Sequence, residues 1–319
     1  MKNLFLFLVV IVIFQISCTK ESAKPVVLAE KVTYSVFADN NDGNLPILSQ
    51  FYDSDFGSKI LENIKTNKTQ ATDFAKASLK IETINEIILS LQSQFSKKET
   101  NEFFNELIFN ETWLYDSSTM KIEKKVKDLS FFYQCYLPED SLHLDLKNRF
   151  LFKINLNDSV KAEKSETISI KAEYVVKLSA CDSLFTKLVG FDTKPFVKSL
   201  INKALKKEIT PYDYFSEEPK MIVENDILLS LGATTDTVEV ENVETGEPEI
   251  KVVKNEIVYE EITELIFIEK WTFDYQKNIF SKEIIGYGPV REYFKPYMDD
   301  MKVKSVPFIL RFDIPKKNS

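Results

Sequence analysis

The 319-residue chain has a single histidine, His143, only three cysteines and seven glycines, and no excess of positive charge. One histidine cannot build a His-based metal site, and it leaves Ser/His and Cys/His mechanisms nowhere else to run. With 41 Lys plus Arg against 49 Asp plus Glu, the net charge is -8. Nucleic-acid binding calls for a concentrated basic face, so no nucleic acid is expected as a partner. Neither a Gly-rich phosphate loop nor a nucleophile elbow is present. Gly286-Tyr287-Gly288-Pro289 is too short and lacks a following helix. What the chain does have is apolar bulk: 44% hydrophobic and 13% aromatic residues with few breakers, which excludes disorder and predicts a packed core. The length fits two domains of about 150 residues each, or one larger one.

The N-terminus reads as a targeting segment. Lys2 precedes an apolar run of eleven, residues 4–14, too short to span a bilayer and flanked as in a signal peptide. Gln15-Ile16-Ser17-Cys18 resembles a bacterial lipobox, which makes residues 1–17 a signal peptide and Cys18 the lipidation site. Residues 18–25 are then a tether, and the body is held on a lipid anchor. Cys135 and Cys181 remain; an oxidising compartment permits a bridge between them, and two separate thiols are the other reading.

Self-similarity is the strongest long-range signal. Residues 85–91 and 225–231 share five of seven identities at an offset of 140, and residues 106–116 and 264–274 share seven of eleven at an offset of 158. Both tryptophans, Trp113 and Trp271, fall in the second match. The chain therefore reads as a first unit, 26–157, a linker, 158–165, a second unit, 166–315, and a tail, 316–319. The 18-residue difference between offsets is an insertion in the second unit. Residues 237–241 and 250–253 alternate about Glu244-Thr245-Gly246-Glu247, as a projecting β-hairpin does.

Within one unit, a strand over 172–178 precedes a helix from 194 to 207, capped by Thr193 with Pro195 in its first turn. Phe196, Val197, Leu200, Ile201, Ala204 and Leu205 form its 3.6-period face. A short helix stops at Gly232, strands over 265–273 and 279–287 pair antiparallel, and 308–314 alternates onto one face as a closing strand. The expected fold class is α+β, with two tandem copies of a helix plus antiparallel-sheet unit, the second carrying the inserted hairpin.

The second unit resembles the GldN/PorN family of the type IX secretion and gliding-motility apparatus. The resemblance rests on Glu208-Ile209-Thr210-Pro211-Tyr212-Asp213, the hairpin around Glu244-Thr245-Gly246, residues 269–277 around Trp271, and Ile284-Ile285-Gly286-Tyr287-Gly288-Pro289. It implies a non-catalytic periplasmic component that docks onto envelope proteins, among them a ring-forming secretion lipoprotein, with no cofactor. Together with the anchor it implies an outer-membrane lipoprotein on the periplasmic face.

The candidate sites are weighed against plainer roles. The Trp113/Asp116 and Trp271/Asp274 pairs place a carboxylate beside an indole, but Asp at a strand turn commonly binds its own backbone, and each Trp anchors a core. Glu111 and Glu269 are repeated and raise the alternative of a carboxylate-dependent hydrolase; solvated strand positions are the simpler expectation. His143 is expected on the surface, and no metal is expected at Asp299-Asp300 or Glu139-Asp140. Thr237, Val238, Val240, Ile250, Val252 and Val253 of the hairpin offer an edge for a partner strand, although Glu239, Glu241, Glu249 and Lys251 are the kind of residue that guards an edge. A ligand-binding cleft between the two units is a further alternative.

Overall fold

In the computed structural model the described residues are 25–37, 55–95, 104–137, 139–140, 142, 144–157, 167–178, 187–189, 191–241, 247–294 and 301–314. The first half contributes β1 (Val26–Phe37), α1 (Phe56–Lys65), β2 (Ala71–Thr72), α2 (Ile81–Phe95), β3 (Glu106–Asp116), β4 (Lys121–Tyr136) and β5 (Leu146–Asn155). The second contributes β6 (Thr167–Lys177), β7 (Lys187–Val189), α3 (Thr193–Leu205), α4 (Glu224–Ser230), β8 (Thr235–Glu241) and β9 (Pro248–Lys254). A 3-10 turn (Tyr259–Glu261), β10 (Ile262–Asp274), β11 (Ile279–Phe294), β12 (Lys302–Ser305) and β13 (Leu310–Arg311) follow. The class is α+β: among the described residues, four helices lie against a largely antiparallel sheet.

Eleven of the described strands form one sheet, whose main path runs β6-β10-β11-β4-β3-β1-β7. β3 pairs with β4 from end to end of β3, and β10 with β11 from end to end of β10. The join between them is narrow: β4 meets β11 only at Lys124 opposite Lys282. The helices cover the sheet through short apolar stripes. α1 buries Phe56, Ile60 and Ile64, and α2 buries Ile84, Ile88 and Leu91, both at helical spacing. α3 buries Phe196, Val197, Leu200, Ile201 and Ala204, the face its periodicity predicts. One continuous apolar cluster runs through both halves.

Two β-bulges decide which side chains enter that cluster. On β4, Asn110 faces Asp128 while Glu111 faces Val126, so Lys127 is left over. On β11, Ile268 faces Gly286 while Glu269 faces Ile284, leaving Ile285 over. An extra residue reverses the alternation beyond it. Leu129 and Phe131 point inward above the bulge of β4, and below it Val126, Lys124 and Ile122 do. On β11, Tyr287 is buried on one side of the bulge, and Ile284, Lys282 and Phe280 on the other.

Three local expectations are corrected. Thr193 is the first residue of α3 rather than its cap; Asp192 holds that position, without a side-chain cap bond. Residues 308–314 do not form an alternating strand: only Leu310 and Arg311 are in β13. Phe308, Ile309 and Leu310 are buried consecutively. The reason is that both sides of this segment are covered. Ile309 enters a small separate cluster with Ile266 and Val290 and pairs its backbone with Tyr212, while Leu310 and Arg311 pair with β11. Finally, Glu111 and Glu269 are not solvated strand positions, since both are fully buried. Gly232 does end α4, with φ of 81°, a conformation that suits glycine.

Candidate functional site

The most unusual chemistry lies inside. Lys124 Nζ is 2.8 Å from Glu269 Oε1, and Lys282 Nζ is 2.7 Å from Glu111 Oε1, with all four side chains sealed from solvent. Each lysine therefore answers a carboxylate of the opposite half. Trp113 Nε1 donates to Glu111 Oε2 and Trp271 Nε1 to Glu269 Oε2, both at 2.7 Å. Tyr34 donates to Glu111 at 3.0 Å and Tyr174 to Glu269 at 2.7 Å. The two tyrosine hydroxyls sit 2.8 Å apart with their rings stacked, and Lys282 and Lys124 donate to Tyr34 and Tyr174. The ammonium groups also rest on aromatic faces: Lys124 lies 3.1 Å from the ring centroid of Phe267, and Lys282 lies 3.2 Å from that of Phe109.

Two positive and two negative charges thus cancel in a dry, aromatic-walled cage. Burying one such ion alone costs several kcal/mol, so the arrangement survives only because every charge is paired and hydrogen-bonded. Burial is the leading influence throughout. It lowers Lys124, and pulls Lys282 down to about 8 against the opposing pull of Glu111 and Glu269. It pushes Tyr34 and Tyr174 well above the ordinary tyrosine value, helped by the neighbouring carboxylates. It also raises Glu269, but the two lysines outweigh it and hold that carboxyl below its usual range. Enclosed and neutralised, Glu111 and Glu269 touch no open surface on which a substrate could be attacked.

An alkaline stability maximum follows. A lysine lowered on folding adds stability as the pH rises from its folded value, about 8 for Lys282, towards 10.5, because the unfolded chain holds the proton longer. A tyrosine raised on folding works in reverse, and its contribution is lost above 10.0, where the unfolded chain ionises first. Urea midpoints measured at half-unit steps are expected to climb from pH 8 towards 10 and then fall; a steady decline from pH 8 upward would contradict the buried lysines.

The two aspartates beside the tryptophans hold turns. Asp116 accepts the Ser118 amide at 2.9 Å and the Ser118 and Thr119 hydroxyls, which lower its carboxyl to about 2. Asp274 accepts the amides of Gln276 and Lys277 at 3.1 and 3.0 Å. Trp113 and Trp271 are buried. Cys135 is a free, buried thiol. Cys18, His143, Cys181 and the acidic pair at 299–300 lie outside the described residues.

The second candidate is on the outside. β8 and β9 pair antiparallel in register from Thr235 opposite Lys254 to Glu241 opposite Pro248, as a sheet of their own. The tip, 242–246, lies outside the described residues. Thr237, Val238 and Val240 sit on β8, and Ile250, Val252 and Val253 on β9. Ile250 is 72% exposed and Val252 60%. At the base, Asn255 donates from its backbone N–H to the Thr234 carbonyl at 2.9 Å and from its side chain to the Thr234 hydroxyl at 2.8 Å. The space between the halves, where a cleft was one alternative, is filled by the charged and aromatic cage. A surface groove of about 370 Å³ lies elsewhere, between the start of α3 and the 3-10 turn, lined by Leu178, Pro195, Val197, Tyr259 and Ile262.

The sequence singled out Glu111 and Glu269 but missed Lys124, Lys282, Tyr34 and Tyr174 as their partners. A usable signal existed: Ile122-x-Lys124-x-Val126 and Phe280-x-Lys282-x-Ile284 repeat a lysine inside an apolar alternation at the offset of 158.

Among the described residues, no helix is long and apolar enough to cross a membrane. No curated protein matches the chain. Its second half is recognisable all the same: residues 182–313, which take in α3, α4, the β8–β9 hairpin, β10 and β11, match the family described as Gliding motility associated protein GldN.

Proposed function

We propose that the chain is a non-catalytic, lipid-anchored component of the gliding-motility and type IX secretion machinery, built from two tandem units and docking onto envelope proteins through its β8–β9 hairpin. The observation that carries the reading is the GldN match over 182–313, a segment that includes the hairpin. The hairpin stands apart from the main sheet with Ile250 and Val252 exposed, which suits strand addition to a partner. Cys18 would carry the lipid and hold the body at the periplasmic face of the outer membrane. The tandem reading draws support from backbone detail. Asn67 and Lys207, 140 residues apart, both have positive φ, and so do Met120 and Asn278, 158 apart. The enclosure of Glu111 and Glu269 speaks against the hydrolytic alternative.

The test replaces residues 235–254 by two glycines between Thr234 and Asn255, whose mutual hydrogen bonds mean that a short link closes the gap. The mature protein and the variant are purified from native envelopes in mild detergent, and co-purifying proteins are identified by mass spectrometry. Secretion-machinery proteins are expected with the parent and absent from the variant, whose thermal midpoint stays unchanged. Equal recovery from both removes the hairpin's role; no such protein with the parent removes the machinery reading.

A further inference from the structure

The contacts between the halves are reciprocal to an unusual degree. Lys124 with Glu269 repeats as Lys282 with Glu111, and the partners are identical residues at the 158 offset. Trp271 meets Phe109 edge-on at 4.8 Å, and Trp113 meets Phe267 in the same way at 5.3 Å. The helices cross over too. Phe56 of α1 packs on Phe273 of the second half at 5.3 Å, and Phe196 of α3 packs on Tyr115 of the first at 5.4 Å. Asn63 donates to the Tyr275 carbonyl at 2.6 Å, while Lys203, 140 residues on, donates to the Ser117 carbonyl at 2.8 Å, 158 residues before Tyr275. Tyr34 and Tyr174 stack on one another at the centre, and Lys124 lies opposite Lys282 in the one backbone pairing of β4 with β11.

A junction in which residue i meets j and the equivalent of j meets the equivalent of i is an isologous interface, the kind that closes a two-fold dimer. We propose that this junction is a homodimer interface fixed within a single chain: the second half carries a face complementary to a second copy of itself, and in the intact protein the first half occupies it. The proposal rests on the two-unit reading but not on hairpin docking. In a pair of second halves, Tyr174 would stack on its counterpart, Lys282 would meet Glu269 of the other copy twice over, and Lys203 would reach the Tyr275 carbonyl. Every group needed is present on the second half, which supplies Tyr174, Phe267, Glu269, Trp271 and Lys282. The reciprocal ion pairs also give the face its selectivity, because a partner lacking either charge leaves the other buried and unanswered.

The test starts from the folded full chain with a protease site inserted between Asn157 and Thr167. After cleavage, the sample is mixed with a nitrogen-15-labelled copy, allowed to exchange, and read by native mass spectrometry. Pairs of second halves are expected beside the parental mixed pairs. Mixed pairs accompanied only by unpaired second halves would overturn the proposal. A Lys282→Met version separates this face from any other. It removes one ion pair from the mixed species but two from the pair of second halves, so the ratio of the latter to the former is expected to fall more than about tenfold. An unchanged ratio would place the association on a different surface and overturn the proposal equally. Removing the hairpin should leave both results as they are, so failure here and failure of the docking reading are distinguishable.

Discussion

Replacing Lys124 with methionine is expected to destabilise the fold by about 3–5 kcal/mol, while the same change one residue along, at Lys125, shifts it by less than about 0.5 kcal/mol. Length and apolar stem are conserved in both substitutions; what differs is the environment of the charge. Lys124 is sealed against Glu269, whereas Lys125 is 55% exposed with Glu123 3.9 Å away, an arrangement that water and salt screen almost completely. Without Lys124 the Glu269 carboxylate keeps its bonds from Trp271 and Tyr174 but loses its counter-charge in a dry interior. Neutralising it should therefore help. Adding Glu269→Gln to Lys124→Met is expected to recover about 2 kcal/mol, since an uncharged amide still accepts from Trp271. Urea unfolding of the three variants checks the series. A double variant weaker than Lys124→Met would mean that the pair's charges are not what holds it together.

The second large effect is expected at Gly288. A Cβ built there would lie 2.0 Å from the Phe308 carbonyl oxygen, and at Gly286 it would lie 2.6 Å from that of Leu310. Both obstacles are backbone, so no side chain can swing aside. Gly288→Ala must push the segment around Phe308 off β11, which opens the sites of three consecutive buried residues, and is expected to cost about 3 kcal/mol or more. The local signature is specific. The Ile309 and Tyr212 amides, now bonded to each other's carbonyls at 2.9 and 2.8 Å, should exchange hydrogen much faster while amides in β3 and β4 keep their protection. A variant as stable as the parent would mean that β13 is not held against β11 as closely as these distances require. The same close approach gives a physical reason for the glycines of the Gly-Tyr-Gly-Pro segment.

Much of the architecture could be read from the residues because periodicity reports burial on one face. The apolar stripe of α3, the stop at Gly232, the hairpin of β8 and β9 and the turn-forming aspartates all follow local rules. The match over 182–313 likewise falls where the quoted motifs lie. The 308–314 segment failed because it is covered on both sides, and a segment buried on two faces shows no alternation. The cage failed for another reason. A strand reading that begins at Leu129 and Phe131 and steps back by twos arrives at Lys125 and Glu123, and leaves Lys124 facing water. Only the bulge turns it inward, and bulges leave little trace in composition. Glu111 suffered similarly: a charged residue on a strand is assigned to solvent until its partner, Lys282 in the other half, is known.

That extra residue on β4 has a genetic consequence. Loss of the single codon for Lys127 would leave the reading frame, the chain's composition and nearly all of its apolar residues intact. It would also set Asp128 and Val126 side by side opposite Asn110 and Glu111, a regular alternation in which Val126, Lys124 and Ile122 still face inward and only the local bend of the bulge is lost. A three-nucleotide deletion there should thus be milder than one at any paired position of the strand, and the codon for Ile285 occupies the same place on β11.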